Sequence, residues 1–348
     1  MHTGYEYTRQ HFLIAADPRI DVIQCDREGV EQEIIDADVV VPLMCSITPS
    51  LLSLASKLKL IIQFGVGVEG VDIFGATSLG IFVSNIPSTP TGNAFNAASC
   101  AEMAIFLTLA TLRNINAMEN SIQNRLLGTP TGEMIMDKAI LIIGFGNIAK
   151  HCIDRLIPFK PRSISVLRRR AEQWGCCDDD DNDEDRHSSH ATLTGRAISE
   201  KGTWPEDAKK LASTADIIIV ACKQDDSNKG LINDTFLEAC KTGVRIVNVA
   251  RGGLLDYGSC VRGLASGKIG ALGLDVHFWE PFDPEDPIAK HPNVYLTPHV
   301  AGVTTASYNT MAAILAAEIR RVLLHNQKPT VQLNSEEDMP VGSRISSS

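Results

Sequence analysis

The sequence lacks any apolar run long enough to span a bilayer. Its longest, residues 215–222 and 139–146, fall far short of the ~18 residues a membrane helix needs. It lacks an excess of positive charge: 32 Lys and Arg stand against 42 Asp and Glu, for a net charge of −10. Seven of those acids sit in residues 178–185 (DDDDNDED), so the remainder balances 35 acids against 32 bases. With no basic face, the phosphate contacts that drive nucleic-acid binding are missing, and no polybasic stretch offers a membrane-surface anchor. It also lacks a cysteine framework: the nine cysteines are an odd number, with no CxxC pair, which predicts reduced thiols and a cytoplasmic location. The first ten residues carry neither a basic start nor an apolar core, so no secretory signal is expected.

A chain of 348 residues predicts two domains with sizeable cores. In the N-terminal third, short apolar runs at residues 38–43, 59–64 and 80–83 alternate with stretches of helical length, the rhythm of a parallel α/β sheet. Before them the sequence predicts a helix over 5–13 and a first strand at 22–24, with no leading strand. A hinge rich in Pro, Thr, Gly and Asn at 85–100 leads into a long helix over 101–124. A second series then starts at Lys138, with strands predicted at 139–143, 163–167, 216–222, 245–249 and 271–276, a doubly wound pattern. Residues 171–206 are low in apolar content and long for a connection, which predicts a mobile surface insertion. Adjacent Cys176 and Cys177 suit tetrahedral coordination poorly, so no metal site is expected beside His187 and His190.

Chemistry is concentrated at the ends of the predicted strands. LIIGFGNIA places Gly144, Gly146 and Ala149 in GxGxxA spacing between a strand and a helix over 148–156. Gly144 permits the tight turn, Gly146 lets backbone approach a pyrophosphate, and Ala149 allows close helix packing. A dinucleotide is expected there, with Phe145, Asn147 and Ile148 around it. At the tip of the next strand no Asp or Glu stands ready for a ribose 2′-hydroxyl. Arg168, Arg169 and Arg170 stand there instead, and guanidinium forks match a 2′-phosphate, which favours NADP while leaving NAD open. Further on, Arg251 in NVARGG follows a strand and can hold a carboxylate bidentately. Glu280 in DVHFWEPF and His299 in LTPHVAG each close an apolar strand. An imidazole beside a carboxylate keeps its proton to higher pH, as a general acid needs.

Taken in order, FGVGVEGVD at 64–72, AEMAIFLTLATLR at 101–113, GFGNIA, NVARGG, LGLDV with its following EP, and TPHVAG make residues 36–333 resemble the D-isomer-specific 2-hydroxyacid dehydrogenases. The resemblance implies a doubly wound Rossmann NAD(P)-binding domain over 93–305. It also implies a split, flavodoxin-like α/β substrate domain from 1–92 and 306–334, and a homodimer; the polar, Ser-rich composition of 335–348 predicts a disordered tail. By the same resemblance Arg251 binds the substrate carboxylate, His299 is the acid/base and Glu280 tunes His299. Backbone N–H groups near Val66, Gly67 and Val68 hold the carboxylate, Asp275 orients the nicotinamide, and Cys222, Val249 and Ala250 line the cofactor cleft. Formate dehydrogenases of the wider family carry glutamine at the Glu280 position, so Glu280 argues against formate. The implied activity interconverts a small 2-oxo acid and its D-2-hydroxy acid, as in glyoxylate/hydroxypyruvate reductases. NAD-linked phosphoglycerate dehydrogenases and non-catalytic, dinucleotide-sensing corepressors that resemble the family are the alternatives.

Overall fold

The computed structural model describes residues 2–3, 11–12, 16–43, 45–86, 95–169, 197–335 and 337–340. The chain divides into two compact units, Met1–Phe95 with Val303–Ser348, and Asn96–Gly302.

In the first unit, β1 (His2–Thr3) pairs in parallel with β2 (Gln24–Cys25), and β3 (Val39–Val40), β4 (Leu60–Gln63) and β5 (Phe82–Asn85) form a three-stranded parallel sheet. The leading strand thought absent is therefore present: the backbone of His2 and Thr3 pairs with Gln24 and Cys25. Two polar residues do not announce a strand by hydrophobic pattern, and pairing with a neighbour supplies what the pattern lacks. Most of the helix expected over 5–13 lies outside the described residues. In the three-stranded sheet, period-two alternation sorts side chains onto its faces. Val39, Leu60, Ile62 and Phe82 join one core cluster, and Val40, Ile61 and Val83 the other. The helix Thr305–Leu323 lays Tyr308, Met311, Leu315, Ile319 and Val322, spaced three and four apart, onto the first of these clusters. Thr304 caps it, its side chain accepting from the Ser307 N–H.

Beyond that helix the chain stays ordered, contrary to the expected tail from 335. Met339 is buried in the same cluster, and as far as Pro340 only residue 336 falls outside the described residues. The polar, Ser-rich composition hid a single apolar anchor. Residues 341–348 lie outside the described set. Just before it, buried Asn334 completes the edge of β5. Its Oδ1 accepts from the Val83 N–H at 2.9 Å, and its Nδ2 donates to Ile81 O at 2.8 Å and to Thr77 Oγ1 at 3.0 Å. Asn334→Ala leaves a buried strand N–H and carbonyl unpaired. We expect the unfolding free energy from urea titration to fall by about 2 kcal/mol.

The second unit holds a seven-stranded, fully parallel sheet made of β6 (Ala139–Ile143), β7 (Ser163–Arg168), β8 (Glu200–Thr203), β9 (Ile217–Val220), β10 (Val244–Asn248), β11 (Ile269–Leu274) and β12 (Val294–Leu296), in the order β12-β11-β10-β9-β6-β7-β8. The order reverses at β6, whose neighbours are β7 and β9, as in doubly wound dinucleotide-binding sheets. Ile140 and Ile142 face one core and Leu141 and Ile143 the other, so both faces are covered.

Two expectations change here. The long helix over 101–124 is two helices, Asn96–Arg113 and Ile115–Gln123, broken at Asn114, whose φ of 56° is left-handed. The insertion thought to span 171–206 ends earlier. Ser199 donates to Ile164 O at 2.7 Å, β8 pairs along β7, and Trp204 stacks on Phe236 with centroids 5.7 Å apart. Residues 170–196, with Cys176, Cys177, His187, His190 and the acidic run, lie outside the described residues.

Candidate active site

Every strand of the second unit ends at the same edge of the parallel sheet, and the predicted chemistry follows those ends. After β6, Gly144 turns with φ 109°. A side chain there would be both strained and pressed to 2.7 Å from Ala221 O. Its N–H donates to Leu167 O at 2.8 Å, so the turn is pinned between the ends of β7 and β9. Gly146 is the N-cap of the helix Asn147–Leu156, and a Cβ added to it would meet nothing within 4 Å. Open space above a glycine cap, where amide dipoles point outward, is what an approaching pyrophosphate needs, so these residues fit a dinucleotide. Ile148 is the second residue of that helix, and buried Ala149 packs it against the sheet. Phe145 has the Arg168 guanidinium 5.2 Å and the Lys150 ammonium 5.7 Å from its ring centroid. Arg169 pairs with Asp225, Nη1 to Oδ2, at 2.5 Å.

Cys222 follows β9. Burial pushes its thiol up to about 11, so at neutral pH it is a protonated, weakly polar wall rather than a nucleophile. Val249 and Ala250 follow β10 and are both buried, packed into the cores on opposite faces of the sheet. Val66, Gly67 and Val68 belong to the other unit, in the turn after β4, where Asn85 Nδ2 donates to Val66 O at 2.6 Å.

Arg251 begins a tight turn that a residue missed by sequence reasoning builds. Buried Asn248 accepts from the Ala250 N–H at 3.0 Å and donates Nδ2 to Arg251 O at 2.8 Å. Next to it, any Cβ on Gly252 would overlap the His277 carbonyl, so the missing side chain lets the Arg251 turn pack against the segment that carries Glu280. The Arg251 side chain folds Nη1 onto Ala250 O at 2.7 Å.

Glu280 and His299, 19 residues apart in sequence, meet: Oε2 of Glu280 lies 2.8 Å from Nδ1 of His299. Oε1 of Glu280 accepts from the His277 N–H at 3.1 Å. Burial pushes the Glu280 carboxyl up, but the His299 hydrogen bond and charge and the His277 N–H outweigh it, and the group sits below its ordinary range. Glu280 is therefore a carboxylate at neutral pH. A carboxylate acceptor puts the proton of that contact on Nδ1 and directs Nε2 away from it. His277, also missed, bridges the two segments through Nε2 to Thr297 O at 2.9 Å.

His299 itself has φ 55°, a left-handed conformation that a side chain adopts only where its surroundings impose it. The imposition comes from Asp275. Its fully buried carboxylate accepts from Thr297 Oγ1 at 2.6 Å and Val300 N–H at 2.9 Å through Oδ1, and from Ala301 N–H at 2.9 Å through Oδ2. A carboxylate with no exposed surface is thus held against the 297–301 loop. The clue in the sequence was Thr297, a hydroxyl two residues before the histidine. Asp275→Asn would turn an amide N–H toward one of three donors. We expect it to lower unfolding free energy by about 3 kcal/mol in denaturant titration, and wild-type stability would refute the clamp.

Residues 185–301 match the family described as D-isomer specific 2-hydroxyacid dehydrogenase, NAD binding domain. A D-3-phosphoglycerate dehydrogenase of Archaeoglobus fulgidus is 30% identical over 287 residues, covering 81% of this chain and 48% of the relative. The chain thus spans about half the length of the curated relatives it matches. Among solved structures, D-lactate dehydrogenase from Escherichia coli superposes with a TM-score of 0.74 at 21% identity, over 96% of this chain and all of that one. A glyoxylate reductase from Paecilomyes thermophila superposes with a TM-score of 0.69 at 21% identity, over 96% of this chain and 98% of that one. At those identities the two structures speak for the fold.

Proposed function

We propose, from the fact that this chain belongs to the D-isomer specific 2-hydroxyacid dehydrogenase family, that it reduces a small 2-oxo acid of the glyoxylate or hydroxypyruvate type to its D-2-hydroxy acid in the cytosol, with NADPH preferred to NADH. The observation that carries the reading is the Glu280–His299 hydrogen bond, in the same unit as the glycine turn.

A reduced nicotinamide dinucleotide bound at that turn supplies the hydride for the carbonyl carbon. His299 delivers a proton from Nε2 to the carbonyl oxygen, so that the C=O double bond becomes C–H and O–H. Glu280 holds Nδ1–H, fixing the ring and stabilising the imidazolium before transfer. Arg251 anchors the substrate carboxylate and polarises the carbonyl. Arg168 and Arg169, with no acid at the β7 tip, support a 2′-phosphate on the cofactor.

The test is loss of reduced-cofactor absorbance with NADPH and NADH in turn against glyoxylate, hydroxypyruvate and pyruvate. We expect His299→Ala to reduce turnover about 100- to 10,000-fold and Arg251→Ala to collapse kcat/KM; near-native rates in either would overturn the mechanism. The relatives named D-3-phosphoglycerate dehydrogenase favour a second reading, NAD-linked oxidation of 3-phosphoglycerate, and turnover in that direction alone would select it. Dinucleotide binding without turnover of any acid would select the sensing reading.

We further propose a homodimer formed through residues 106–136 of the second unit. Ile122, Leu126, Leu127 and Met134 are exposed there, with Leu127 fully so, and exposed apolar clusters of this kind mark association surfaces. Sedimentation equilibrium should give twice the chain mass, and Leu127→Asp should shift it to monomer; a monomeric wild type would refute the dimer.

A further inference from the structure

At the point where the strand order reverses, β7 and β9 flank β6 and its glycine turn. Arg169 directly follows β7, and Asp225 lies five residues beyond the end of β9. Their ion pair, Arg169 Nη1 to Asp225 Oδ2 at 2.5 Å, joins the two strand ends on either side of the dinucleotide turn.

The two partners are not held equally. Asp225 sits in its own turn: Oδ1 accepts from the Ser227 N–H at 2.9 Å and from Ser227 Oγ at 2.6 Å. Its N–H donates to Asn228 Oδ1 at 2.8 Å, while Asn228 Nδ2 donates to Lys223 O at 2.8 Å. The carboxylate is therefore fixed by local chain geometry, and the longer, more flexible guanidinium comes to it. Ser227 and Arg169 hold the Asp225 carboxyl down at about 2, so it is charged at every working pH. Both side chains are nearly half exposed, at 47% and 42%, and a pair so exposed is held weakly enough for another anion to compete for the arginine. The adjacent Arg168 lies over the Phe145 ring, 5.2 Å from its centroid.

We propose that Asp225 is a specificity-determining residue for the cofactor. Its fixed carboxylate competes with a 2′-phosphate for Arg169 and repels that phosphate by like charge, whereas a 2′-hydroxyl leaves the Arg169–Asp225 pair closed. Asp225 thus limits the preference for NADPH that the arginines confer, and it supplies from the far side of the turn the acid missing from the tip of β7. The inference rests on the reading that the glycine turn binds the dinucleotide with Arg169 toward its ribose 2′ position.

The test compares Asp225→Asn, Arg169→Ala and wild type for binding of NADPH, NADH, 2′,5′-ADP and 5′-AMP by isothermal titration calorimetry. Asn at 225 can still accept from Ser227, so the turn is retained. We expect Asp225→Asn to raise the ratio of NADH to NADPH Kd about tenfold, with the same shift between 5′-AMP and 2′,5′-ADP, and Arg169→Ala to lower it. If Arg169→Ala lowers the ratio while Asp225→Asn leaves it unchanged, this proposal falls and the cofactor reading stands. If neither variant moves the ratio, or the wild type binds no dinucleotide, both fall together.

Discussion

A buried carboxylate at the end of β11 governs the geometry of the candidate site. Asp275 has no exposed surface, and an ionised group in such a place survives only when its oxygens are matched by donors. The matching donors, Thr297 Oγ1 and the N–H groups of Val300 and Ala301, bracket His299. Satisfying one buried charge therefore fixes the backbone on both sides of the imidazole and sustains its left-handed φ of 55°. The His299 N–H folds back onto Thr297 O at 2.9 Å, and His277 Nε2 meets that same carbonyl. The ring is presented to Glu280 by a loop with little freedom, and preorganisation of this kind is what lets a proton donor act without rearranging first.

A second constraint is close approach without side chains. Gly252 brings the Arg251 turn against the His277 carbonyl, and Gly144 brings the dinucleotide turn against Ala221 and Leu167. In each place a missing Cβ joins one strand end to another. The sheet supplies the strand ends in parallel, and its order reversal at β6 leaves room there for a ligand that no strand crossover covers.

Most of this was legible in the sequence because periodicity and glycine spacing are local signals. Five of the seven strands of the second unit, β6, β7, β9, β10 and β11, lie within a few residues of where apolar runs put them, and Glu280 and His299, singled out separately, prove to be hydrogen-bonded. What was not legible depends on partners distant in sequence. β8 has the composition EKGT and is a strand because β7 offers it an edge. His2 and Thr3 form a strand for the same reason. Met339 looks like part of a polar tail until the core it fills is seen, and Asn334 shows its service to the β5 edge only through its partners there. Asn248 reads as the polar end of an apolar strand, and its service to the Arg251 turn follows only from the turn's geometry.

The same reasoning explains why charge type alone does not assign roles at these strand ends. Arg168 and Arg169 are adjacent and chemically identical, yet one lies over an aromatic ring and the other on a carboxylate. Arg168 is the last residue of β7 and Arg169 lies beyond the strand, so these neighbours in sequence meet different surroundings. Asp275 and Asp225 show the converse. Both follow strands of one sheet, but the first is sealed among the donors of the 297–301 loop, whereas the second remains in solvent reach. Burial, more than residue type, separates the groups that build this site from those that can contact a ligand in it.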